Sequence, residues 1–551
     1  MDKNLFKSAP KGERAPPSTV VNEAGGVAYT LSSKQALARL AVTGCLSDVF
    51  YADPEQQLDA FERLGKEVDP VFLGQCALYS RKVGRMKDAP ALLCAMLANS
   101  GAAGNIVLDR VFERVINNAK LFRNFFRIMR SGKLGRKSIT GANRRRMQEW
   151  FSDRKPEQLF RESPGDPSMR DLLRTIHPKS NRGYPDPERS ALYDYFLGKK
   201  DAENNEQLPE IVRQFETWKK SPDTTPTPDL PLQLLTGAAM SKAQTRFLWT
   251  QLSKTMSWWA LRMNLATLAR SGCFEDPGVM NAVAVRIADR EEVRASKTFP
   301  YQILAAYKAA MTGAERLPNS VVLALHAALE HATHNMEELG AKRVVVAVDV
   351  SGSMESPVTG RRKGSTTSMV CSEVAALVAM CTVRRAADVR VVAFGQTLEE
   401  VRIDPAIPAL KLAEDLGKKD LGGTDCSLPF VWLNQNKVDA DLVILISDDQ
   451  SWIDDRGISS TALGYVNAKK NVAGSPAKAQ LEWNAYRAKR QDAKLVCLNL
   501  QPYETSQLVP APHTLCIGGW SDSVFRVINR FLRGSFKTDA FVEEIESFDK
   551  N

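Results

Sequence analysis

"VVVAVDVSGSMES", residues 344–356, sets an apolar run of strand length directly against an acid and a loop of serines. A β-branched run this continuous suits a strand covered on both faces, as in a parallel sheet between helices. Three similar runs follow: "DVRVVAFG" (388–395), "DLVILISD" (441–448) and "AKLVCLNL" (493–500). Helical stretches such as "SMVCSEVAALVAMCTVRRAA" (368–387) and "AQLEWNAYRAKRQ" (479–491) separate them. The chain beyond residue 340 is thus predicted to be an open, Rossmann-like α/β sheet, whose ligands bind beyond the carboxyl ends of its strands.

Upstream the rhythm is helical. From about residue 33 to 340, apolar residues recur every three or four positions, as in "SKQALARLAVTG" (33–44) and "NSVVLALHAALEHATHNMEELG" (319–340), and the stretches stop at Gly or Ser-Gly. Many such helices with short joints predict helix pairs stacked as a solenoid. A chain of 551 residues also exceeds what one core supports. The expected division is a flexible lead-in (1–20), an all-α domain (21–340) and an α/β domain (341–540). The proline-rich stretch at 219–231 is expected to be a loop between helices.

Composition excludes several classes. With 44% hydrophobic and 25% charged residues the chain is neither disordered nor a membrane protein, and no apolar run reaches the ~18 residues a spanning helix needs. The first residues, "MDKNLFKSAPKGERAPPS", lack the apolar stretch of a signal peptide. The nine cysteines are scattered without a CxxC pair, which predicts reduced core thiols in a cytoplasmic protein. The net charge of +10 is confined to residues 1–340, because residues 341–551 balance at 26 basic and 26 acidic. A polyanionic partner for the helical part is therefore in view.

Asp349 ends the first strand, and Ser351 and Ser353 follow at alternate positions. Two later loops, "GGTDCS" with Thr424 and "ISDDQSW" with Asp448, bring further hydroxyl and carboxylate oxygens. An all-oxygen, weakly charged shell suits a hard divalent cation such as Mg2+. Asp449 beside Asp448 leaves the third acid open between the two. A turn and helix cap would also use Asp and Ser at "DVSGSM", but the two later elements stand in order behind it. The set resembles a von Willebrand factor A domain with its metal-ion-dependent adhesion site, D-x-S-x-S, then Thr, then Asp. The resemblance implies metal contact through the hydroxyls of Ser351, Ser353 and Thr424, with Asp349 and Asp448 acting mainly through water. It also implies one open coordination position for a partner's carboxylate. The basic loop Gly360 to Ser365 contacts an anion or is simply solvated.

Between Leu121 and Arg146, "LFRNFFRIMRSGKLGRKSITGANRRR" carries nine basic residues and no acid. By helical spacing Arg123, Arg127 and Arg130 share one face, opposite Phe122, Phe125, Ile128 and Met129. Lys133, Arg136, Lys137, Arg144 and Arg145 extend a strip suited to a phosphate backbone. The stretch lacks the spacing of a phosphate-binding ATPase loop. "MRDLLRTIHPKSNRG" (169–183) adds Arg170, Arg174, His177 and Lys179, cations beside a ring that can stack and hydrogen-bond, which suits RNA. The histidines at 326, 331 and 334 lack the HExxH order and are expected to be structural.

Together "NEAGGVAY", "RSGKLGRKSITGA", "MRDLLRTIHPKS" and "LLTGAAMSK", followed by "AVDVSGSM", "GGTDCSLP" and "SDDQSW", resemble the Ro 60 kDa autoantigen family, most closely its bacterial branch. The resemblance covers about residues 20–535. It implies a monomeric ring of HEAT-like helical repeats, the TROVE module, closed through the A domain. It implies binding of small noncoding Y RNAs on the outer basic surface, entry of single-stranded 3′ ends of misfolded RNAs into the ring, and partnership with a 3′ to 5′ exoribonuclease, with no DNA or membrane partner and no catalysis. By matching motif the segments around His177 and from Arg123 to Arg145 are the RNA surfaces. The chain departs from the family pattern at Lys179-Ser180, where Lys-Pro is usual. Two other classes compete: a scaffold whose A domain grips an acidic protein through its metal, and a hydrolase using Asp349 or Ser351, which lacks a histidine placed to act as base.

Overall fold

The computed structural model describes residues 15–18, 20–43, 54–135, 137–180, 185–238, 240–312, 316–358, 369–404, 407–451, 476–501, 503–519, 524–534, 536–537 and 539–548. The protein is multidomain, mostly helical, with one large α/β sheet. It divides into two compact units, one formed by residues 1–89, 288–312 and 323–551, the other by residues 90–287 and 313–322.

The first unit is organised by the predicted sheet. In chain order the strands are β1 (Val20–Val21), β2 (Val27–Thr30), β3 (Arg343–Asp349), β4 (Asp388–Phe394), β5 (Leu398–Val401), β6 (Leu442–Ser447), β7 (Lys494–Asn499), β8 (Thr505–Ser506) and β9 (Thr514–Gly518). Six of them form one sheet in the order β5-β4-β3-β6-β7-β9. All neighbours in it are parallel except β5, which runs antiparallel to β4 at the edge. Every residue of β6, and all of β3 after Arg343, is buried, as helices on both faces require. Helix Cys371–Arg385 lies against the sheet and is buried from Cys371 through Thr382 except at Glu373. Trp483 fills the core between Phe430 and Tyr486, and its indole N–H donates to Thr514 Oγ1 at 3.2 Å.

The boundary expected at residue 340 is not where the compact units divide. β2 pairs antiparallel with both β1 and β8, so the start of the chain is stitched to a strand almost five hundred residues later. Helix Ser33–Thr43 follows, and a Cβ added to Gly518 would sit 2.6 Å from Arg39 Cα, an approach only glycine permits. The lead-in expected to be flexible is held at its described end. Ser18 is buried with its hydroxyl donating to Ala28 O, and Tyr29 donates its hydroxyl to Pro16 O.

The second unit is helical, and its core is aromatic. Phe122 stacks on Trp150 at 4.2 Å between centroids and meets Phe151 edge-on, while Phe112 meets Phe125. Of the proline-rich stretch at 219–231, Lys219 and Lys220 end helix Glu210–Lys220, and the rest is a loop leading to helix Leu232–Leu235. All eight described cysteines are buried and free, as core thiols should be, and Cys45 lies outside the described residues. Among the described residues no helix is long and apolar enough to cross a membrane.

Truncating Trp483 to Ala should cost about 3–5 kcal/mol, because it empties the centre of the α/β core and orphans Thr514. Denaturant unfolding followed by circular dichroism is expected to show the midpoint falling at constant slope; an unchanged midpoint would contradict this packing.

Candidate cation site and basic surface

Strand order reverses between β3 and β6, and the carboxyl ends of those neighbours carry Asp349 and, one residue beyond β6, Asp448. Both carboxylates are fully buried. Asp349 Oδ1 accepts from Ser351 N at 2.9 Å and Oδ2 accepts from Ser447 Oγ at 2.5 Å. The turn at Gly352–Glu355 curls the chain so that Ser351 Oγ and Ser353 Oγ lie 3.3 Å apart. Gly352 N donates to Gly422 O, which brings the loop of Thr424 alongside. Thr424 is buried, its carbonyl accepting from Ser451 Oγ.

Asp448 Oδ1 accepts from Gln450 N at 3.2 Å, while its buried Oδ2 has no hydrogen-bond partner among the described residues. Burial, and after it the charge of Asp349, pushes the Asp448 carboxyl up to about 7. Burial likewise raises Asp349. Two carboxylates held out of water side by side ask for positive charge. Hydroxyls and a free carboxylate oxygen are the donors a hard cation takes. The residues present fit Mg2+ in chemistry, with two carboxylates rather than three; among the described residues no three or more His, Cys, Asp or Glu are arranged so that they alone could hold a metal ion. When bound, such a cation supplies an electrophilic centre for an anionic oxygen.

Asp449 is turned elsewhere. Its backbone is left-handed (φ 64°), its Oδ2 lies 3.3 Å from Arg39 Nη2, and its Oδ1 accepts from Gln507 N. The N-terminal "NEAGGVAY" covers the same loop. Asn22 Nδ2 donates to Ser451 O at 2.7 Å, Ala24 N donates to Gln450 Oε1, and the turn closes through Gly25 (φ 88°) and Gly26, whose N–H bonds Asn22 Oδ1. Sequence reasoning missed Ser447, Arg39 and Asn22 as supports of the site. Ser447, a hydroxyl ending an otherwise apolar strand, was the only visible signal. The Gly360 to Ser365 loop lies outside the described residues.

The basic segment is divided by the structure. Arg123 does not share an exposed face with Arg127 and Arg130: it is 4% exposed and donates to the carbonyls of Glu162, Ser163 and Pro167. Those carbonyls lie just past helix Pro156–Arg161, where the chain has no helical donors left for them. Arg146 is likewise buried, bonded to Asp109, Asn105 and Asn143. Arg127 and Arg130 are exposed, and Arg127 pairs with Asp166. Lys133, Lys137, Arg144, Arg145, Arg170, Arg174, His177 and Lys179 are exposed too, whereas Arg136 and Arg182 lie outside the described residues. His177 caps helix Met169–Ile176 in a left-handed conformation (φ 52°). Gln148, on helix Gly141–Ser152 with Arg144 and Arg145, donates to the carbonyls of Ile176 and His177 at 2.9 and 3.0 Å. One side-chain amide thus ties the arginine helix to the histidine corner.

Strand order, an oxygen-lined mouth at the switch point and an antiparallel edge strand define a von Willebrand factor A domain, carried with a helical unit. Residues 343–478 match the Ro60 vWA domain family. The chain is 24% identical over 488 residues to the RNA-binding protein RO60 of Deinococcus radiodurans, covering 82% of this chain and 88% of that protein. It is 27% identical over 299 residues to the RNA-binding protein RO60 of Caenorhabditis elegans, covering 53% of this chain but only 42% of the nematode protein. The crystal structure of the D. radiodurans RO (RSR) protein shares the fold with a TM-score of 0.60 at 19% identity, over 92% of this chain and all of that one. The chain is thus similar to Ro 60 kDa proteins over most of its length, and residues 343–478 match the von Willebrand factor A domain of that family.

Replacing Arg39 by Met should destabilise the first unit by about 3–5 kcal/mol, since it strands the buried Asp449 charge. Arg123→Ala should cost about 2–3 kcal/mol, because buried carbonyls lose their donors, while Arg144→Ala should stay within about 0.5 kcal/mol. Parallel denaturation curves check this order; equal effects of Arg123→Ala and Arg144→Ala would contradict it.

Proposed function

We propose that this chain binds small structured noncoding RNAs of the Y type on the exposed basic surface of its helical unit, takes up single-stranded ends of misfolded RNAs, and serves cytoplasmic RNA quality control as an adaptor for a 3′ to 5′ exoribonuclease, without catalysing a step itself. The observation that carries this is the joining, by Gln148, of the exposed Arg144–Arg145 helix to the corner that presents His177 and Lys179. Cations spread over such a surface neutralise successive phosphates, so affinity is mostly counterion release and carries little sequence information. An exposed imidazole among them can meet a loop base or a 2′-hydroxyl. The relatives named RNA-binding protein in a nematode and a bacterium support the same reading.

A second reading rests on Asp448 Oδ2. A buried oxygen without a partner marks the A domain as a place where Mg2+ could recruit a carboxylate of another protein. The two readings concern different units of the chain and can both hold.

Anisotropy titrations of a labelled stem-loop RNA with a single-stranded 3′ tail, across a salt series, test the RNA reading. The wild type should show a steep fall of affinity with salt. Arg144→Glu/Arg145→Glu should weaken binding at least about ten-fold and flatten the salt slope by about one to two, and His177→Ser should weaken it less. Binding that is weak and equal in all three proteins would overturn the proposal.

A further inference from the structure

The helical unit has a second cation-rich stretch, separate from the surface just described. Between Asp229 and Glu275 the chain carries Lys242, Arg246, Lys254, Arg262 and Arg270 and no acid. Helices Lys242–Thr255, Trp258–Met263 and Leu265–Arg270 border an open groove of about 1160 Å³, lined by Trp249, Trp259, Met263, Lys242, Arg246 and Arg270 among others. The adjacent tryptophans are used oppositely. Trp258 is 4% exposed, its indole N–H donating to the carbonyls of Arg286 and Ile287, whereas Trp259 is 49% exposed on the groove wall, beside Met263 at 56%. Packing accounts for the first ring. It does not account for a second large ring left in water next to an exposed thioether.

Charge selects the occupant. Glu275 at the groove's end, the one acid among the described lining residues, pairs with Arg246 at 2.6 Å, so the wall presents the positive groups of Lys242 and Arg270 to an incoming ligand. A flat aromatic face flanked by cations is the arrangement that holds an unpaired nucleotide, with the base on the ring and its phosphates on the cations. A paired base cannot use it, because both its faces are already stacked in the helix. An acidic peptide would satisfy the cations and leave the indole without a partner.

We propose that this groove binds an unpaired stretch of RNA, with a base stacked on Trp259 and the flanking phosphates against Lys242 and Arg270. The inference rests on the RNA-binding reading and adds to it a contact that discriminates unpaired from paired strand, which phosphate contacts at Arg144 and Arg145 do not. Two labelled probes separate the ideas: a short uridine-rich single strand and a blunt-ended RNA duplex without a loop, each titrated against the full chain as wild type, Trp259→Ala, Trp259→Phe and Arg144→Glu/Arg145→Glu. Trp259→Ala should weaken the single strand about ten-fold or more, leave the duplex unchanged and keep the wild-type melting curve, and Trp259→Phe should retain most of the affinity. If Trp259→Ala binds both probes as the wild type does while Arg144→Glu/Arg145→Glu loses both, the groove inference fails and the RNA reading stands. If the wild type binds neither probe, both fail. Displacement of the single strand by polyglutamate at equal monomer concentration would assign the groove to an acidic protein segment and likewise overturn the inference.

Discussion

Two carboxylates kept out of water at adjacent strand ends govern the architecture of the first unit. Asp349 and Asp448 are fully buried, and each raises the cost of charging the other. A fold tolerates that only if the surrounding polar groups are organised to meet it. Here hydroxyls supply that organisation: Ser447 on Asp349, Ser351 and Ser353 beside each other, and Ser451 on the Thr424 loop. The backbone takes the remainder, with Ser351 N and Gln450 N each committed to a carboxylate oxygen. The loops are consequently held by the same acids that define the site, so geometry and electrostatics cannot be altered independently there.

A second layer extends this dependence to the start of the chain. Asp449, the immediate neighbour of Asp448, is drawn in the opposite direction by Arg39, and Asn22 and Ala24 close over the next two residues. Adjacent aspartates thus have separate tasks, one facing the candidate cation site and the other anchoring the N-terminal helix. The anchoring is a buried ion pair with a backbone amide on the second oxygen, the geometry in which removal of one partner is costly.

The sequence made the sheet legible because a parallel strand covered on both faces must be apolar throughout, and β3, β4, β6 and β7 are the runs that announce it. It made the loop acids legible because their spacing relative to strand ends is fixed by pleat and turn. Arg123 and Arg146 were not legible. A helical wheel places a cation on a face by its angle, yet whether that cation meets water or the exposed carbonyls of another segment depends on what packs there. The N-terminal segment was hidden for a related reason, because its strand partner lies at Thr505–Ser506 and local pattern carries no trace of so distant a pairing. Trp258 and Trp259 show the same limit at one step of sequence: identical residues, one hydrogen-bonded inside and the other facing solvent.

The pairing of β2 with β8 also bears on how the chain is made. Residues 90–287, with 313–322, form a helical unit whose parts are all made before the large sheet, whereas β2 can pair with β1 at once but meets β8 only after residues 505–506 are synthesised. Through most of translation Asn22, Tyr29 and Arg39 stand ready with their surfaces uncovered. Residues 20–43 are therefore among the last to find their place, and the loop of Asp448 reaches its finished form only when this segment and the Thr505–Ser506 strand both exist.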